Sequence, residues 1–303
     1  MTQHSGNFDD FGMDTITLAG PLEAKLRAMQ EAGFSQVMLK ANDIVGHADG
    51  IEAAVKAVKA SGLRVTGFQV LRDFEGLSGH LHDYKVDMAK AMLEMAYSLG
   101  APVLLACSST SQHASADLDV IARDLRKLAM LAVPLGIKVA YEGLSWGRTI
   151  NEFTTAWDVV CRADAPNLGL GLDSFHAFAT KTSLDDLELI DPRKIFLVQL
   201  ADFMWQEIRT VEERIATART FRVFPGEGVH SEQVADLVMR LAALGYRGDY
   251  SFEVFNDDYQ QMPLPLVAQR ARRSAEWLGE EVLRRSVPLP NRMRLKGAVN
   301  ALP

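Results

Sequence analysis

Residues 138–178 read KVAYEGLSWGRTINEFTTAWDVVCRADAPNLGLGLDSFHAF. Two short apolar runs in this stretch, KVAYE at 138–142 and LGLGLD at 168–173, flank a segment with the periodicity of an amphipathic helix. Each run ends in a carboxylate, Glu142 in the first and Asp173 in the second. A strand, a helix and another strand in this order predict two parallel strands joined by a helical crossover.

The same alternation extends along nearly the whole chain. Several of the amphipathic stretches end in glycine, as at Gly33, Gly62 and Gly245, which is the residue that most readily closes a helix in the left-handed conformation. Eight strands that alternate with helices predict a single-domain (β/α)8 TIM barrel, and no GxGxxG turn supports an open doubly wound sheet. The predicted strands cover residues 15–19, 36–40, 64–70, 102–107, 138–142, 168–173, 194–200 and 250–255.

Three segments fall outside the alternating pattern. Residues 1–14 are predicted to form an N-terminal arm and residues 287–303 a C-terminal tail, so that the catalytic barrel covers residues 15–286. Residues 202–230 make a long insertion between the seventh strand and the helix that follows it. Long connections in compact domains usually serve function, and we expect the same of this insertion.

The composition is that of an ordinary globular protein, with 48% hydrophobic and 23% charged residues among 303. The 32 basic and 39 acidic residues give a net charge of −7, the wrong sign for binding a phosphate backbone. The acidic N-terminus does not resemble a secretory signal, and no run of about 18 apolar residues is present to span a membrane. We therefore expect a soluble, cytoplasmic protein that binds neither nucleic acid nor membranes, with homo-oligomerisation left open.

Four oxygen-bearing side chains lie at the ends of the last four predicted strands: Glu142, Asp173, Gln199 and Glu253. In a (β/α)8 barrel these strand ends converge on one mouth. Any one acid could be a helix cap or an ion-pair partner, but several carboxylates buried together repel one another unless a cation compensates them. The all-oxygen set suits Mg²⁺ or Mn²⁺, with Co²⁺ as a third option. Cys107 and Cys161 are isolated, and we interpret both as reduced, mostly buried and non-catalytic.

Further candidate site residues lie in the predicted loops. His176 comes three residues after the carboxylate of the sixth strand, where an acid/base role competes with a structural one. Arg72 follows the third strand, and Arg219 and Arg222 lie in the long insertion. Each arginine is either a clamp for an anionic substrate or an ordinary ion-pair partner. Trp146, beyond the fifth strand, either forms a wall of the pocket or packs against a helix.

Seven motifs follow one another along the chain: RDFEG at 72–76, ACSSTS at 106–111, YEGLSWGR at 141–148, NLGLGLDSFHAF at 167–178, VQLAD at 198–202, RVFPGEG at 222–228 and FEVFND at 252–257. Taken together, they resemble the motifs of bacterial 3-dehydroshikimate dehydratases, which belong to the xylose-isomerase-like barrel superfamily. The resemblance covers about residues 15–280. The metal quartet is shared by the superfamily, while RDFEG, DSFH and FPGEG point to the dehydratase branch.

The resemblance implies an activity and roles for individual residues. The four strand-end residues would bind a divalent metal, His176 would act as an acid or base with help from Glu142 and Glu253, and Arg72 and Arg222 would contact the substrate. The implied substrate is an anionic hydroxy-ketone. Its dehydration through a metal-stabilised enediolate would give protocatechuate.

The chain departs from the family pattern at a few positions. Met38, Lys40 and Ala41 replace acidic and aromatic residues of the second strand, Thr149 stands where a histidine is common, and Ala218 replaces a serine. These changes leave the metal quartet intact and bear on the identity of the substrate. Lys40 at the mouth is expected to contact an additional negative charge on the substrate.

Three other functions compete with the dehydratase interpretation. An isomerase or epimerase of a small sugar or hydroxy-ketone would use the same metal chemistry and return the proton to a neighbouring carbon. An abasic-site endonuclease would need a histidine-rich zinc cluster and a basic face, and the sequence has neither. A metal-binding barrel without catalysis, acting as a ligand sensor or an assembly subunit, remains a further alternative.

Overall fold

Eight parallel strands close into a barrel in the structure, a computed structural model that describes residues 8–285. Around the barrel the strands follow the order β1-β10-β7-β6-β5-β4-β3-β2, which confirms the predicted TIM barrel. The barrel strands are β1 (Phe11–Asp14), β2 (Gln36–Lys40), β3 (Arg64–Arg72), β4 (Val103–Cys107), β5 (Lys138–Glu142), β6 (Leu168–Asp173), β7 (Ile195–Leu200) and β10 (Tyr250–Phe252).

Helices surround the barrel and connect successive strands. Gly62 and Gly245 close two of them with φ angles of 69° and 93°, in the left-handed region where glycine is unstrained. Within residues 8–285, no helix combines the length and apolar character needed to cross a membrane. The helices are α1 (Leu22–Glu31), α2 (Ala41–Val45), α3 (Ile51–Ser61), α4 (Gly79–Leu99), α5 (Leu118–Ala132), α6 (Phe153–Ala163), α7 (Ser174–Thr180), α8 (Val211–Thr220), α9 (Ser231–Leu244) and α10 (Leu264–Glu276).

The first strand lies earlier than the sequence predicts. Residues 15–19 were expected to form it, but Thr15–Thr17 is a turn of 3₁₀ helix and β1 is Phe11–Asp14. The side chain of Asp14 accepts a hydrogen bond from the backbone N–H of Ile16 and so ends the strand. The β-branched residues that favoured 15–19 therefore lie after β1, which falls within the predicted arm. The predicted tail at 287–303 lies outside the described residues.

The apolar core has two parts. The larger part fills the space between the barrel and its helices, and a smaller cluster fills the barrel interior. Met38, one of the departures from the family pattern, is fully buried in this interior cluster. Cys107 and Leu144 belong to the same cluster and also line the cavity at the mouth, so the packed interior forms the floor of that cavity.

The insertion at 202–230 is an ordered structure that packs beside the mouth. Strands β8 (Asp202–Phe203) and β9 (Arg222–Val223) pair antiparallel, and α8 connects them. The carboxylate of Asp202 accepts hydrogen bonds from the backbone N–H of His230 and the hydroxyl of Ser231. These bonds hold both ends of the insertion together and fix it on the barrel.

A buried carboxyl joins three segments beneath the loops of the mouth. Glu75 Oε1 accepts hydrogen bonds from the backbone N–H of Ser109 at 2.5 Å and from the hydroxyl of Tyr141 at 3.0 Å. Glu75 Oε2 is buried and has no partner among the described residues. Burial raises the pKa of Glu75 from 4.5 to about 7.

The pKa of Glu75 predicts a pH-dependent stability. Because the folded-state pKa lies above 4.5, the free energy of unfolding falls as the pH rises from about 4.5 to about 7. Glu75→Gln keeps an oxygen acceptor and removes the buried charge. As the pH rises from 4.5 to 8, wild type should lose about 3 kcal/mol of unfolding free energy that Glu75→Gln does not lose. Urea denaturation of both proteins at the two pH values measures this difference. The exposed Glu188→Gln serves as control, and a pH-independent difference for Glu75→Gln would contradict the prediction.

Candidate active site

A cavity of about 300 Å³ opens at the carboxyl ends of the barrel strands. A larger cavity of about 450 Å³ lies outside the barrel between α7 and α9, but none of the four strand-end residues lines it. The mouth cavity is lined by Gln69, Val70, Arg72, Cys107, Glu142, Leu144, Trp146, His176, Ala218, Arg219, Arg222, Glu253 and Phe255.

All four predicted oxygen donors are buried near the carboxyl ends of barrel strands, and two of them, Glu142 and Glu253, line the cavity. Glu142 ends β5, Asp173 ends β6 and lies beside Gln199 of β7 in the strand register, and Glu253 follows β10. Glu142, Asp173 and His176 each offer an atom within 4.8 Å of the others. This group could hold a divalent metal ion.

Two of the donors have buried polar atoms without a partner among the described residues. These atoms are Oε1 of Glu142 and both Oε1 and Nε2 of Gln199. The second oxygen of Glu142 accepts a hydrogen bond from Cys107 Sγ at 3.0 Å, which orients the carboxylate. Burial and the nearby carboxylates of Asp173 and Glu253 raise the pKa of Glu142. Unpartnered buried oxygens are destabilising on their own, and a bound cation would satisfy them.

Arg222 lies among the acids and is itself buried. Its Nη1 donates to Asp173 Oδ2 at 2.7 Å and to Glu253 Oε2 at 3.0 Å, and its Nε donates to the carbonyl of Ala218. Burial raises the pKa of Glu253, although the guanidinium of Arg222 opposes this shift. Of the two roles that the sequence left open for Arg222, a substrate clamp and an ion-pair partner, the structure shows the ion pair, because Nη1 joins two carboxylates. Contact between Arg222 and substrate stays a prediction.

His176 lies in α7 and is buried, although the sequence placed it in a loop outside the rim. The backbone N–H of Ser145 donates to His176 Nδ1 at 3.1 Å, so Nδ1 is an acceptor and the neutral ring carries its proton on Nε2. Burial lowers the pKa of His176 to about 3, outweighing the opposite effect of Asp173. Nε2 lies 3.7 Å from Asp173 Oδ2. With Nε2 protonated, the imidazole is a hydrogen-bond donor.

Some of the remaining predicted substrate contacts line the cavity and one does not. Arg72 and Arg219 line the cavity, and within residues 8–285 neither forms an ion pair with a carboxylate. The guanidinium of Arg219 lies 5.9 Å from the ring centre of Trp146, which also lines the cavity and packs edge-on against His176. Lys40, at the end of β2, is half-buried and is not among the lining residues.

Sequence reasoning missed several residues of the site. Cys107 was expected to be a small buried hydrophobe, but its thiol donates a hydrogen bond to Glu142. Cys107 ends β4 and lies beside Glu142 of β5 in the strand register. Applying the strand-end rule to β4 would have found Cys107, whereas Gln69, which also lines the cavity, lies three residues before the end of β3. Asp14, which ends β1 and is fully buried, was missed because the first strand was misplaced. Cys161 was expected to be mostly buried and is exposed on α6.

Comparison with known proteins agrees with this architecture. A family model described as xylose isomerase-like TIM barrel matches residues 26–281. A 3-dehydroshikimate dehydratase from Pseudomonas aeruginosa is 37% identical over 278 residues, covering 90% of this chain and 43% of that protein. The chain therefore spans less than half the length of that relative.

Two further comparisons cover the barrel. An inosose isomerase from Bacillus licheniformis is 30% identical over 210 residues, covering 67% of this chain and 70% of that protein. The structure of a xylose isomerase-like TIM barrel/4-hydroxyphenylpyruvate dioxygenase fusion protein superposes with a TM-score of 0.84 at 32% identity, covering 93% of this chain and 45% of that one. The chain belongs to the xylose isomerase-like TIM barrel family.

Proposed function

We propose that this chain is a metal-dependent hydro-lyase that converts 3-dehydroshikimate, or a closely related hydroxy-ketone acid, to protocatechuate. The observation that carries the proposal is the set of unpartnered buried oxygens on Glu142 and Gln199, which lie at one mouth with a neutral imidazole. The similarity to the Pseudomonas aeruginosa dehydratase, which extends over 90% of this chain, supports the choice of substrate.

The proposed metal ligands are Glu142, Asp173, Gln199 and Glu253. Their oxygen-only chemistry favours Mg²⁺ or Mn²⁺, with Co²⁺ as a third option. Bound there, the cation would act as a Lewis acid toward the ketone oxygen and the adjacent hydroxyl of the substrate. His176 is left out of this set because its Nε2 carries the proton when Nδ1 accepts from the Ser145 N–H.

Proton removal is assigned to a carboxylate, Glu142 or Glu253. His176 is a poor base here, since Nδ1 already accepts a hydrogen bond and burial keeps its pKa near 3. The carboxylate takes the proton from the carbon that bears the hydroxyl next to the ketone. The carboxyl group so formed returns that proton to the β-hydroxyl, which leaves as water, and a second proton then moves from a ring carbon to the ketone oxygen, which gives the aromatic product.

His176 is assigned the role of hydrogen-bond donor to a substrate oxygen. A neutral imidazole is a weak acid, so its Nε2–H stabilises negative charge that develops on oxygen without giving up the proton. The surroundings of the ring support this role, because the edge of Trp146 and the peptide of Ser145 hold its orientation.

The substrate carboxylate is assigned to Arg72 and Arg219. Both line the cavity without a carboxylate partner among the described residues, whereas Arg222 is joined to Asp173 and Glu253. A guanidinium can bind a carboxylate through two parallel hydrogen bonds, which also orients the substrate ring.

An isomerase of a small hydroxy-ketone is the second candidate, because the similarity to the inosose isomerase from Bacillus licheniformis extends over 67% of this chain. Such an enzyme would use the same carboxylate base and return the proton to a neighbouring carbon. The two functions differ in their product, since only dehydration gives an aromatic acid that absorbs in the near ultraviolet.

The direct test is a spectrophotometric assay with 3-dehydroshikimate. With Mg²⁺ or Mn²⁺ present, near-ultraviolet absorbance is expected to rise, and a chelator is expected to abolish the rise until metal is restored. An absence of absorbance change at any metal concentration would reject the dehydratase proposal. An altered but non-aromatic product from a hydroxy-ketone would favour the isomerase.

Metal binding and hydrogen-bond donation can be separated by mutation. Glu142→Ala and Asp173→Ala are expected to lose bound metal and turnover together, because each removes a buried oxygen donor. His176→Asn should keep the wild-type metal content and lower kcat by about 100-fold or more. Elemental analysis and steady-state kinetics measure both quantities, with Glu188→Gln as the matched control. Wild-type turnover in His176→Asn would contradict its role.

The arginine assignment predicts a change in substrate affinity. Arg72→Gln and Arg219→Gln should each raise KM for 3-dehydroshikimate about tenfold or more, because each removes a charged hydrogen-bond partner of the carboxylate. Arg209→Gln, an exposed arginine of the same insertion, should leave KM unchanged. If KM is the same in all three variants, the carboxylate is bound elsewhere.

A further inference from the structure

Helix α8 of the insertion contacts the backbone beside His176. Arg214 Nη1 donates to the carbonyl oxygen of Ser145 at 2.9 Å. Ser145 lies in the loop after β5, and its own N–H donates to His176 Nδ1 at 3.1 Å. One residue of this loop is therefore held by Arg214 through its C=O and by His176 through its N–H.

The surroundings of Arg214 are unusual for an arginine. Its Nε is buried without a partner, and within residues 8–285 no carboxylate forms an ion pair with it. Nor does Arg214 line the cavity at the mouth, so an anionic substrate there would not be its partner. By contrast, Arg209 of the same insertion is exposed and pairs with Glu207 at 3.2 Å. Partial burial of a guanidinium costs free energy unless its N–H groups are hydrogen-bonded, and the bond to the Ser145 carbonyl is the contact that offsets this cost.

The contact with Ser145 bears on the ring of His176. The backbone N–H of Ser145 can only donate, so its position decides that Nδ1 is the acceptor and that the proton lies on Nε2. The hydroxyl of Ser145 is also 3.0 Å from Nδ1, but a hydroxyl can donate or accept and does not select a tautomer. Of the two contacts that Ser145 makes with Nδ1, only the backbone N–H selects the tautomer.

A second arginine of α8 strengthens the same link. The guanidinium of Arg219 lies over the ring of Trp146, and that ring packs edge-on against His176 with a centroid distance of 5.0 Å. Successive loop residues, Ser145 and Trp146, are therefore held by α8 on one side and contact the imidazole on the other. The insertion thus supports the orientation of His176 through the loop after β5.

We propose that Arg214 is a positioning residue that fixes the Ser145 backbone, so that the imidazole of His176 is held in the tautomer with its proton on Nε2. The effect of Arg214 on the tautomer does not depend on which reaction the protein catalyses. The catalytic consequence of the tautomer rests on the proposed function, because His176 can donate from Nε2 to a substrate oxygen only in this tautomer.

The tautomer is measured by ¹⁵N NMR of the imidazole in metal-free, substrate-free protein, with His176→Asn used to assign the resonances. In wild type, the two ring nitrogens should show the separate shifts of a neutral ring protonated on Nε2. In Arg214→Gln and in Arg214→Met, which retains side-chain volume without a donor, the two shifts should move toward each other as the tautomers exchange. Wild-type shifts in either folded variant would overturn the proposal.

Two control variants and one rescue variant test whether the effect is specific. Ser145→Ala keeps the backbone N–H and should retain the wild-type shifts, as should Arg209→Gln. Arg214→Lys, which keeps a cationic donor, should restore the wild-type shifts at least in part. A shift change as large in Arg209→Gln as in Arg214→Gln would show a general effect of the insertion and would also overturn the proposal.

Kinetics then connect the tautomer to the proposed function. Arg214→Gln should lower kcat for 3-dehydroshikimate about tenfold or more and leave KM within about twofold, because the substrate contacts are untouched. An inactive wild type would reject the dehydratase function and leave the NMR result standing. An active wild type whose imidazole shifts do not respond to Arg214→Gln or Arg214→Met would reject the positioning role alone.

Discussion

Burying several acidic side chains together at the mouth of the barrel requires that their charges be compensated. Three carboxylates, from Glu142, Asp173 and Glu253, are buried there together with the amide of Gln199. Arg222 supplies one buried positive charge and contacts two of the carboxylates. Oε1 of Glu142 has no partner among the described residues, and burial together with the carboxylates of Asp173 and Glu253 raises the pKa of this residue. A bound cation would relieve both conditions.

The barrel brings these groups together at the carboxyl ends of its strands. Parallel strands bring corresponding positions side by side, as in the pairs Cys107 with Glu142 and Asp173 with Gln199. Packed apolar side chains fill the interior beneath them, so the polar groups face a cavity with a closed floor. The fold therefore determines where donors can be placed, and the residue at each strand end determines which chemistry is available.

Much of this site could be predicted from sequence because a strand end is a local property. The bounds of β5 and β6 were predicted residue for residue, and their last residues are Glu142 and Asp173. Roles that depend on distant segments could not be predicted. The sequence left Arg222 open between a substrate clamp and an ion-pair partner, because its sequence neighbours do not reveal two carboxylates contributed by other strands. The tautomer of His176 likewise depends on Ser145, which lies 31 residues away.

The arginines around the mouth show why residue type alone is a poor guide to role. Arg222 compensates buried carboxylates, Arg214 holds a loop carbonyl, and Arg72 and Arg219 line the cavity without an acidic partner. The four residues are all arginines, and their roles differ because their surroundings differ. Arg72 and Arg219 form no ion pair with a carboxylate among the described residues, so replacing them disturbs the acid cluster less than replacing Arg222, which is joined to Asp173 and Glu253. Relatives with different reactions, a dehydratase and an isomerase, are expected to differ first at such positions, while the carboxylates to which we assign proton transfer stay the same.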